Sequence, residues 1–186
     1  MIVLCDVDNV LADFTGAACL EMSEVLGRNV LPSECKEWSF GYNFDLSAKQ
    51  YRAWDSRIRR KGFCASIAPM PGAVSFIKRL EEVASVFFVT SPWEASPFWM
   101  PERAKWILEV FGRREDSVIH TSAKEMILGD VIIDDRPVNV LYGKRALRVL
   151  VPNEANADWR RSNSCKQLVV TKSFGRILKE IEKVSK

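Results

Sequence analysis

Residues 1–14 of the chain read MIVLCDVDNVLADF. The apolar run Ile2–Cys5 leads directly into two aspartates one residue apart, Asp6 and Asp8. Such a run predicts a short buried β-strand. Two carboxylates at the end of a buried strand repel one another and lose solvation, and a bound cation would offset both costs. The stretch therefore predicts a strand that ends at a metal site.

Similar apolar runs recur along the chain and alternate with segments of helical spacing. The further predicted strands are Val86–Val89, Val118–Ile119, Val131–Ile133, Leu147–Val151 and Leu168–Val170. Between or after them, PGAVSFIKRLEEV, PERAKWILEVFG and SFGRILKEIEKV carry apolar residues at the spacing of a helix face. Strands that alternate with helices predict an α/β fold, here a parallel-sheet Rossmann-like core with helices on both faces.

Residues 15–71 interrupt this alternation, because they contain no convincing strand and are rich in aromatic residues and arginine. TGAACLEMSEVLG predicts a helix that ends at Gly27, and SAKQYRAWDSRIRRKG predicts another that begins at Ser47 and ends at Gly62. We therefore expect a small helical cap at 15–71, inserted after the first strand, and an α/β core built from 1–14 and 72–186.

Composition narrows the classes of function. With 47% hydrophobic and 27% charged residues, the 186-residue chain is typical of a soluble globular protein. A formal net charge of +3 suits a small anionic substrate and is too small to indicate nucleic acid. The five cysteines form no CxxC pair, which favours reduced thiols in a cytoplasmic protein. No apolar run approaches the roughly 20 residues that span a bilayer, so no membrane segment is expected.

Polar side chains follow several of the predicted strands. Thr90 and Ser91 follow the second strand, Lys124 follows the third, and Asp134 and Asp135 follow the fourth. Each alone has an ordinary explanation as a turn, a helix cap or a solvated surface group. Parallel sheets, however, bind ligands at the carboxyl ends of their strands. Brought together there, these groups would form a magnesium site beside an oxyanion site.

This order of motifs resembles that of the haloacid dehalogenase superfamily of phosphohydrolases. DVDNVLADF is similar to its first motif, FFVTS to the second, Lys124 to the third and VIIDDRP to the fourth. More narrowly, DVDNVLADF, PMPGA, VTSP and IDDRP resemble the 5′(3′)-deoxyribonucleotidases, over about residues 1–137. One departure is Asn9, which stands where the first motif usually has Gly. Because Asn tolerates positive φ, we expect the tight turn to be preserved.

The resemblance implies a role for each motif residue. Asp6 would be the nucleophile that forms an aspartyl-phosphate, and Asp8 would be the general acid and base. The implied ligands of Mg²⁺ are Asp6, the backbone carbonyl of Asp8, and Asp134. Asp135 would either be a ligand through water or orient Lys124. The implied phosphate-binding residues are Thr90, Ser91, Lys124 and Arg103, the last in the helix after the second motif.

The resemblance also places the choice of substrate in the cap. Its implied substrate-binding residues are Phe14, Trp38, Phe40 and Trp54, whose rings could stack on a base. The other interpretation is that the cap aromatics form the core of the cap.

The implied function is a Mg²⁺-dependent phosphatase that hydrolyses deoxyribonucleoside monophosphates, so the expected partner is a small-molecule nucleotide. One alternative substrate is another small phosphomonoester or an oligonucleotide end. Only the basic run RIRRK (57–61) supports the oligonucleotide. A catalytically silent binding protein is a second alternative, but every motif residue is present. Base preference and oligomeric state, a homodimer included, are left open.

Overall fold

One parallel sheet of six strands organises the chain, in the spatial order β3-β2-β1-β4-β5-β6. The computed structural model describes residues 1–93, 95–113, 115–142, 144–162 and 167–185. The strands are β1 (Ile2–Cys5), β2 (Ser85–Thr90), β3 (Val118–His120), β4 (Val131–Asp134), β5 (Leu147–Leu150) and β6 (Val169–Val170). All pairings between these strands are parallel. The six predicted strands are confirmed, with ends that differ by at most one residue.

β1 lies in the middle of the sheet and is buried on both faces. Val3 and Cys5 belong to the larger apolar cluster, whereas Leu4 points to the opposite face and joins a second cluster. A strand buried on both sides reads as a continuous apolar run rather than as an alternating one. The run at the start of the chain is therefore explained by its central place in the sheet.

Helices cover the sheet and fill the segment between β1 and β2. They are α1 (Phe14–Leu26), α2 (Ala48–Arg59), α3 (Phe63–Ser66), α4 (Ala73–Leu80), α5 (Trp99–Phe111), α6 (Pro137–Leu141), α7 (Ala157–Ser162) and α8 (Phe174–Val184). Gly27 and Gly112 end α1 and α5 in the left-handed conformation, with φ of 64° and 69°. α2 begins after the Ser47 cap as predicted, but it ends at Arg59 because Arg60 is extended. Gly62 then precedes α3, which the sequence did not predict.

The described part of residues 15–71 is helical, with further 3₁₀ turns at Pro32–Glu34 and Phe40–Asn43. The chain leaves and returns to the sheet side by side at a neck, defined here as Leu11–Asp13 with Ala68–Met70. The amide of Asp13 donates to the carbonyl of Ala68 (2.9 Å), and the amide of Met70 donates to the carbonyl of Leu11 (2.7 Å). The helical content agrees with expectation, and the division into cap and core stays a prediction.

The described cysteines are all reduced. Cys5, Cys19, Cys35 and Cys64 are buried free thiols, and Cys165 lies outside the described residues. Within the described ranges, no helix combines the length and the apolar character needed to cross a membrane.

Candidate active site

The turn after β1 depends on Asn9. Its φ is +61°, the only positive φ of a non-glycine residue in the described ranges, which confirms the tight turn expected there. Its Oδ1 accepts from the amide (3.0 Å) and the hydroxyl (2.7 Å) of Thr15, at the start of α1. Its Nδ2 donates to Oδ2 of Asp135 at 3.2 Å. Asn9 therefore connects the turn, the first helix of the insertion and an acid that follows β4.

Three carboxylates meet where β1 and β4 end. The two strands are neighbours, with Cys5 paired to Ile133, so the residues that follow them are brought together. One carboxylate oxygen each of Asp6, Asp134 and Asp135 lies within 4.8 Å of the others, and all three side chains are buried. Oxygen ligands of this kind are those that Mg²⁺ and Ca²⁺ prefer. The donor set therefore fits a hard divalent cation.

Lys124 lies between two of these acids. Its Nζ is 2.6 Å from Oδ1 of Asp6 and 2.9 Å from Oδ2 of Asp134, and its side chain is only 3% exposed. Asp134 also accepts hydrogen bonds from the amide of Arg136 (2.8 Å) and from Nδ2 of Asn139 (3.0 Å to each oxygen). The network fixes the orientation of the Asp134 carboxylate.

The pKa values show that this group carries an excess of negative charge. Burial, together with repulsion by Asp134, raises the pKa of Asp6 from 3.8 to about 7, in spite of Lys124. Burial and the charge of Asp6 raise the pKa of Asp135 well above its ordinary value. Burial lowers the pKa of Lys124, but the charges of Asp6 and Asp134 outweigh burial and raise it overall. One ammonium does not balance three buried carboxylates, and a divalent cation would.

The side chain of Asp8 points away from this group and toward α5. Its Oδ1 is 2.5 Å from Nη2 of Arg103, and its Oδ2 accepts from the hydroxyl of Thr90 at 3.5 Å. Arg103 is fully buried, with its guanidinium 5.5 Å and 5.2 Å from the ring centres of Trp99 and Trp106. Its Nε and Nη1 have no hydrogen-bond partner within the described residues. Asp8 and Asp6 thus have separate surroundings, although one residue separates them.

A cavity of about 200 Å³, here called the acid cavity, opens beside these residues. Of the four residues expected to bind phosphate, Ser91 and Lys124 line it. Thr90 and Arg103 are both fully buried, and both contact Asp8. Asp6, Asp8 and Asp135 also border the cavity.

The expected substrate-binding aromatics are divided by the structure. Phe14 and Trp38 line the acid cavity. Phe40 instead borders a second cavity of about 480 Å³, which shares Asn9, Phe14 and Trp38 with the first. Trp54 lines neither; it is 1% exposed, stacks on Phe40 at 4.8 Å and donates from Nε1 to the carbonyl of Ala18. Trp54 therefore belongs to the packing between α1 and α2, and its expected contact with the substrate stays a prediction.

Several asparagines at the site were missed. Asn139 holds Asp134, Asn153 donates to Oδ2 of Asp135 at 2.7 Å, and Asn156 donates to the carbonyl of Asp135 at 2.7 Å. Asn139 lies five residues after Asp134, on the helix that follows this strand. This short spacing could have predicted a contact between the two side chains. Asn153 and Asn156 follow β5, and no sequence motif marks them.

Comparisons with known proteins agree with this arrangement. Residues 1–174 match the family described as 5′ nucleotidase, deoxy (pyrimidine), cytosolic type C protein. The mitochondrial 5′(3′)-deoxyribonucleotidase of Mus musculus is 31% identical over 147 residues, which cover 73% of this chain and 64% of that protein. The cytosolic 5′(3′)-deoxyribonucleotidase of Homo sapiens is 29% identical over 148 residues, with coverage of 72% and 70%. The chain thus spans less than two thirds of the mouse relative.

A solved structure shares the fold. The HAD family hydrolase from Deinococcus radiodurans R1, which contains bound phosphate and sodium, gives a TM-score of 0.68 at 14% identity. The similarity covers 98% of this chain and 95% of that one. At this identity the comparison establishes the haloacid dehalogenase-like α/β fold.

Proposed function

Because the chain belongs to the family of 5′ nucleotidase, deoxy (pyrimidine), cytosolic type C proteins, we propose that it is a phosphatase of deoxyribonucleoside monophosphates. It cleaves the 5′ or 3′ phosphate ester and releases nucleoside and phosphate through an aspartyl-phosphate, with Mg²⁺ as its metal. The observation that carries the proposal is the buried group of Asp6, Asp134 and Asp135, joined by Lys124 at the carboxyl end of the sheet.

The metal is assigned to the three carboxylates and to the backbone carbonyl of Asp8. Their oxygens suit Mg²⁺, which keeps several waters and takes few protein ligands. When bound, Mg²⁺ would offset the excess negative charge and polarise a phosphoryl oxygen. The raised pKa of Asp6 supports this assignment, since a cation nearby favours the ionised carboxylate that the reaction needs.

Asp6 is the nucleophile in the proposed mechanism. A carboxylate oxygen of Asp6 bonds to phosphorus as the ester bond to the leaving oxygen breaks. Lys124, 2.6 Å from Asp6, orients that carboxylate and stabilises the charge on the transferring phosphoryl group. Water then attacks the aspartyl-phosphate, and Asp6 is released together with inorganic phosphate.

Asp8 transfers the protons. It gives a proton to the leaving alkoxide in the first step and takes one from the attacking water in the second. The ion pair with Arg103 fixes the position of the Asp8 carboxylate beside the acid cavity. The first step requires Asp8 in its protonated form. Arg103 and Thr90 hold the side chain in place for both steps.

An oligonucleotide end is a less favoured substrate. Its support in the sequence is the basic run 57–61, yet Arg57 and Arg60 both pair with Glu21, at 2.5 Å and 2.7 Å. Arg59 pairs with Asp55 at 3.2 Å. Most of the charge in this run is thus committed to contacts within the chain, and a mononucleotide is favoured. We also propose a cytoplasmic site of action, as for the cytosolic human relative.

The experiment that tests the proposal is an assay of phosphate release. The protein is incubated in Mg²⁺ with a panel of 5′ and 3′ deoxyribonucleoside and ribonucleoside monophosphates, a dinucleotide with a terminal phosphate, and unrelated sugar phosphates. We expect the highest kcat/KM for a deoxyribonucleoside monophosphate. Higher values for an unrelated sugar phosphate, or no hydrolysis of any compound, would contradict the proposal.

A further inference from the structure

Two thiols lie side by side in the helical insertion, at positions that no CxxC spacing marks. Sγ of Cys19, on α1, is 3.5 Å from Sγ of Cys35, which directly follows the 3₁₀ turn Pro32–Glu34. This separation is about 1.5 Å longer than a disulfide bond. Both side chains are buried, at 2% and 6% exposed. A small approach of the two sulfurs would therefore bring them to bonding distance.

Hydrogen bonds on either side hold the turn against α1. Oγ of Ser23 donates to the carbonyl of Cys19 at 2.8 Å and accepts from the amide of Val30 at 2.9 Å. Closer to the turn, the guanidinium of Arg28 lies 2.8 Å and 3.2 Å from the two carboxylate oxygens of Glu34. These contacts fix the backbone that connects the two thiols, so a bond between the sulfurs requires little rearrangement.

The two thiols of the pair are not equivalent. Cys35 lines the second cavity, of about 480 Å³, whereas Cys19 lines neither that cavity nor the acid cavity. A hydrogen bond from the S–H of Cys19 lowers the pKa of the Cys35 thiol, although burial and the charge of Glu34 oppose this change. The same hydrogen bond, together with burial, raises the pKa of Cys19. A small molecule in the cavity therefore meets Cys35 first, and Cys35 is the better nucleophile because the thiolate is the reactive form.

The remaining described cysteines lack these properties. Cys5 and Cys64 are at most 1% exposed. Burial raises the pKa of Cys64 to about 12, and burial together with the charge of Asp6 raises the pKa of Cys5 well above its ordinary value. Neither of them has a second thiol within hydrogen-bond distance in the described ranges. They provide internal controls for the reactivity of the pair.

We propose that Cys19 and Cys35 form a disulfide on exposure to a peroxide, and that this bridge fastens the turn Pro32–Glu34 to α1. The pair is then a site of reversible oxidative modification, which is independent of the proposed hydrolysis. Hydrogen peroxide is the class of oxidant that fits, because it is small enough to reach a sulfur that is only 6% exposed. Disulfides that form in a reducing cytoplasm are usually transient and responsive to oxidants.

Two displacement steps complete the oxidation. The thiolate of Cys35 attacks one oxygen of hydrogen peroxide, the O–O bond breaks, and a sulfenic acid forms on Cys35 as hydroxide leaves. Sγ of Cys19 then attacks the sulfur of the sulfenic acid, and the S–S bond forms as the S–O bond breaks. The protons of the two thiols convert the released hydroxides to water. Two thiols thus lose two electrons and two protons in total, and one peroxide is reduced to two waters.

Peptide mapping of the parent protein tests whether the bridge forms. The protein is treated with hydrogen peroxide, its remaining thiols are blocked with iodoacetamide, and it is digested with trypsin without reductant. Trypsin separates peptide 1–28, which contains Cys19, from peptide 29–36, which contains Cys35. We expect the two peptides to be joined after oxidation and to separate in dithiothreitol. Tandem mass spectrometry assigns the bridge to Cys19, because the first peptide also contains Cys5.

Serine variants test the order of the two steps. In Cys19→Ser the sulfenic acid on Cys35 has no thiol to resolve it, so dimedone, which reacts with sulfenic acids, should label Cys35. In Cys35→Ser we expect at least about fivefold less label on Cys19, because that thiol lines neither cavity. The matched control is Cys64→Ser, which removes another buried thiol of the insertion and should form the bridge in the parent yield.

Thermal unfolding measures whether the bridge fastens the turn. We expect peroxide to raise the melting temperature of the parent by roughly 5 °C, because the bridge restricts the unfolded chain. Dithiothreitol should reverse the rise, and Cys35→Ser should not show it. Peptides that stay unjoined in the parent overturn the inference, as does a bridged parent with an unchanged melting temperature. Both of these readouts use the parent protein, so they decide the inference even if a serine variant fails to fold.

Discussion

An ion pair joins Arg103 to Asp8 across 95 positions of sequence, with Nη2 2.5 Å from Oδ1. The guanidinium is enclosed by the rings of Trp99 and Trp106, and the carboxylate borders the acid cavity. α5 therefore contacts the candidate active site through the buried guanidinium of Arg103. Because that cation contacts the proposed general acid and base, it fixes the position of the Asp8 side chain.

Replacement of this cation tests its importance. We expect Arg103→Met to lower kcat for dTMP about a hundredfold, since it leaves Asp8 without its ion pair and free to rotate. Arg103→Lys keeps the charge but loses the planar group between the indoles, so an intermediate kcat is expected. The control is Arg52→Met, at an exposed position on α2. Equal kcat values for Arg103→Met and the parent would exclude a role for the ion pair.

The proposed nucleophile is tested by Asp6→Asn, which keeps the shape of the side chain and removes its charge. We expect phosphate release from dTMP to fall by about a thousandfold or more, because an amide cannot form the acyl phosphate. Asp45→Asn, at an exposed acid, should retain the parent rate. Hydrolysis by Asp6→Asn at the parent rate would refute the aspartyl-phosphate mechanism.

Removal of the metal should make stability depend on pH. In the cation-free protein the pKa of Asp6 is about 7, against 3.8 for the free side chain, so the folded state binds its proton more tightly than the unfolded state does. Stability is therefore lost as pH rises from about 4 to 7, and the full loss remains above pH 7. Mg²⁺ should oppose this loss, so the rise in melting temperature on adding Mg²⁺ should grow between pH 5 and pH 7.5.

Differential scanning fluorimetry in chelator and in Mg²⁺ measures this difference at each pH. Taking the difference between the two curves cancels the titration of groups that lie far from the metal. Asp6→Asn should show a smaller dependence of the Mg²⁺ effect on pH. A Mg²⁺ effect of the same size at pH 5 and pH 7.5 would argue against coupling between the cation and these acids.

The contacts of Glu21 predict a further pH effect, in the helical insertion. Burial raises the pKa of Glu21, but hydrogen bonds from Arg60 and Arg57 outweigh burial and lower this pKa below 4.5. The pairing therefore stabilises the fold above pH 4.5 and is lost as Glu21 becomes protonated at lower pH. We expect Glu21→Gln to lower the free energy of unfolding by about 1 kcal/mol or less at pH 7, because the pairs are partly exposed.

Glu24→Gln, an exposed position on the same helix without a described ion pair, is the matched control. Urea denaturation at pH 7 and pH 4 measures the two variants against the parent. The Glu21→Gln effect should shrink at pH 4, and an effect that grew at pH 4 would contradict the assignment.

Asn9 combines a backbone and a side-chain role, and two variants separate them. Asn9→Gly accepts the φ of +61° but loses the bonds to Thr15 and Asp135. Asn9→Ala loses the same bonds and also strains the backbone, so we expect it to be less stable than Asn9→Gly by about 1–2 kcal/mol. Thermal unfolding measures the difference, and equal stability of the two variants would show that the turn relaxes.

The sheet and most helices followed from the sequence because their signals are local. A central strand buried on both faces leaves a run such as Ile2–Cys5, and a helix that ends in a left-handed residue leaves Gly27 or Gly112. The proximity of Asp6 and Asp134 could be predicted because the carboxyl ends of parallel strands lie at the same edge of a sheet. These features require no knowledge of which side chains touch.

Contacts between distant segments were harder to foresee. An aromatic residue in a helical insertion can face either a ligand or a neighbouring helix, and Trp54 faces α1 because its Nε1 finds the carbonyl of Ala18 there. The ion pair of Arg103 depends on how α5 packs beneath the turn after β1, and sequence spacing does not encode that packing. The asparagines after β5 reach Asp135 only because β5 lies next to β4.

The neck holds the two ends of the insertion side by side. Asp13 and Met70 are both bonded to the opposite run of the neck, and an antiparallel bridge joins Ala12 to Pro69 between them. A segment whose two ends already meet can change in length without moving the strands it interrupts, and longer loops cost little extra closure entropy. Insertions or deletions among the fifty-odd residues beyond the neck are therefore expected to leave β1 and β2 in place.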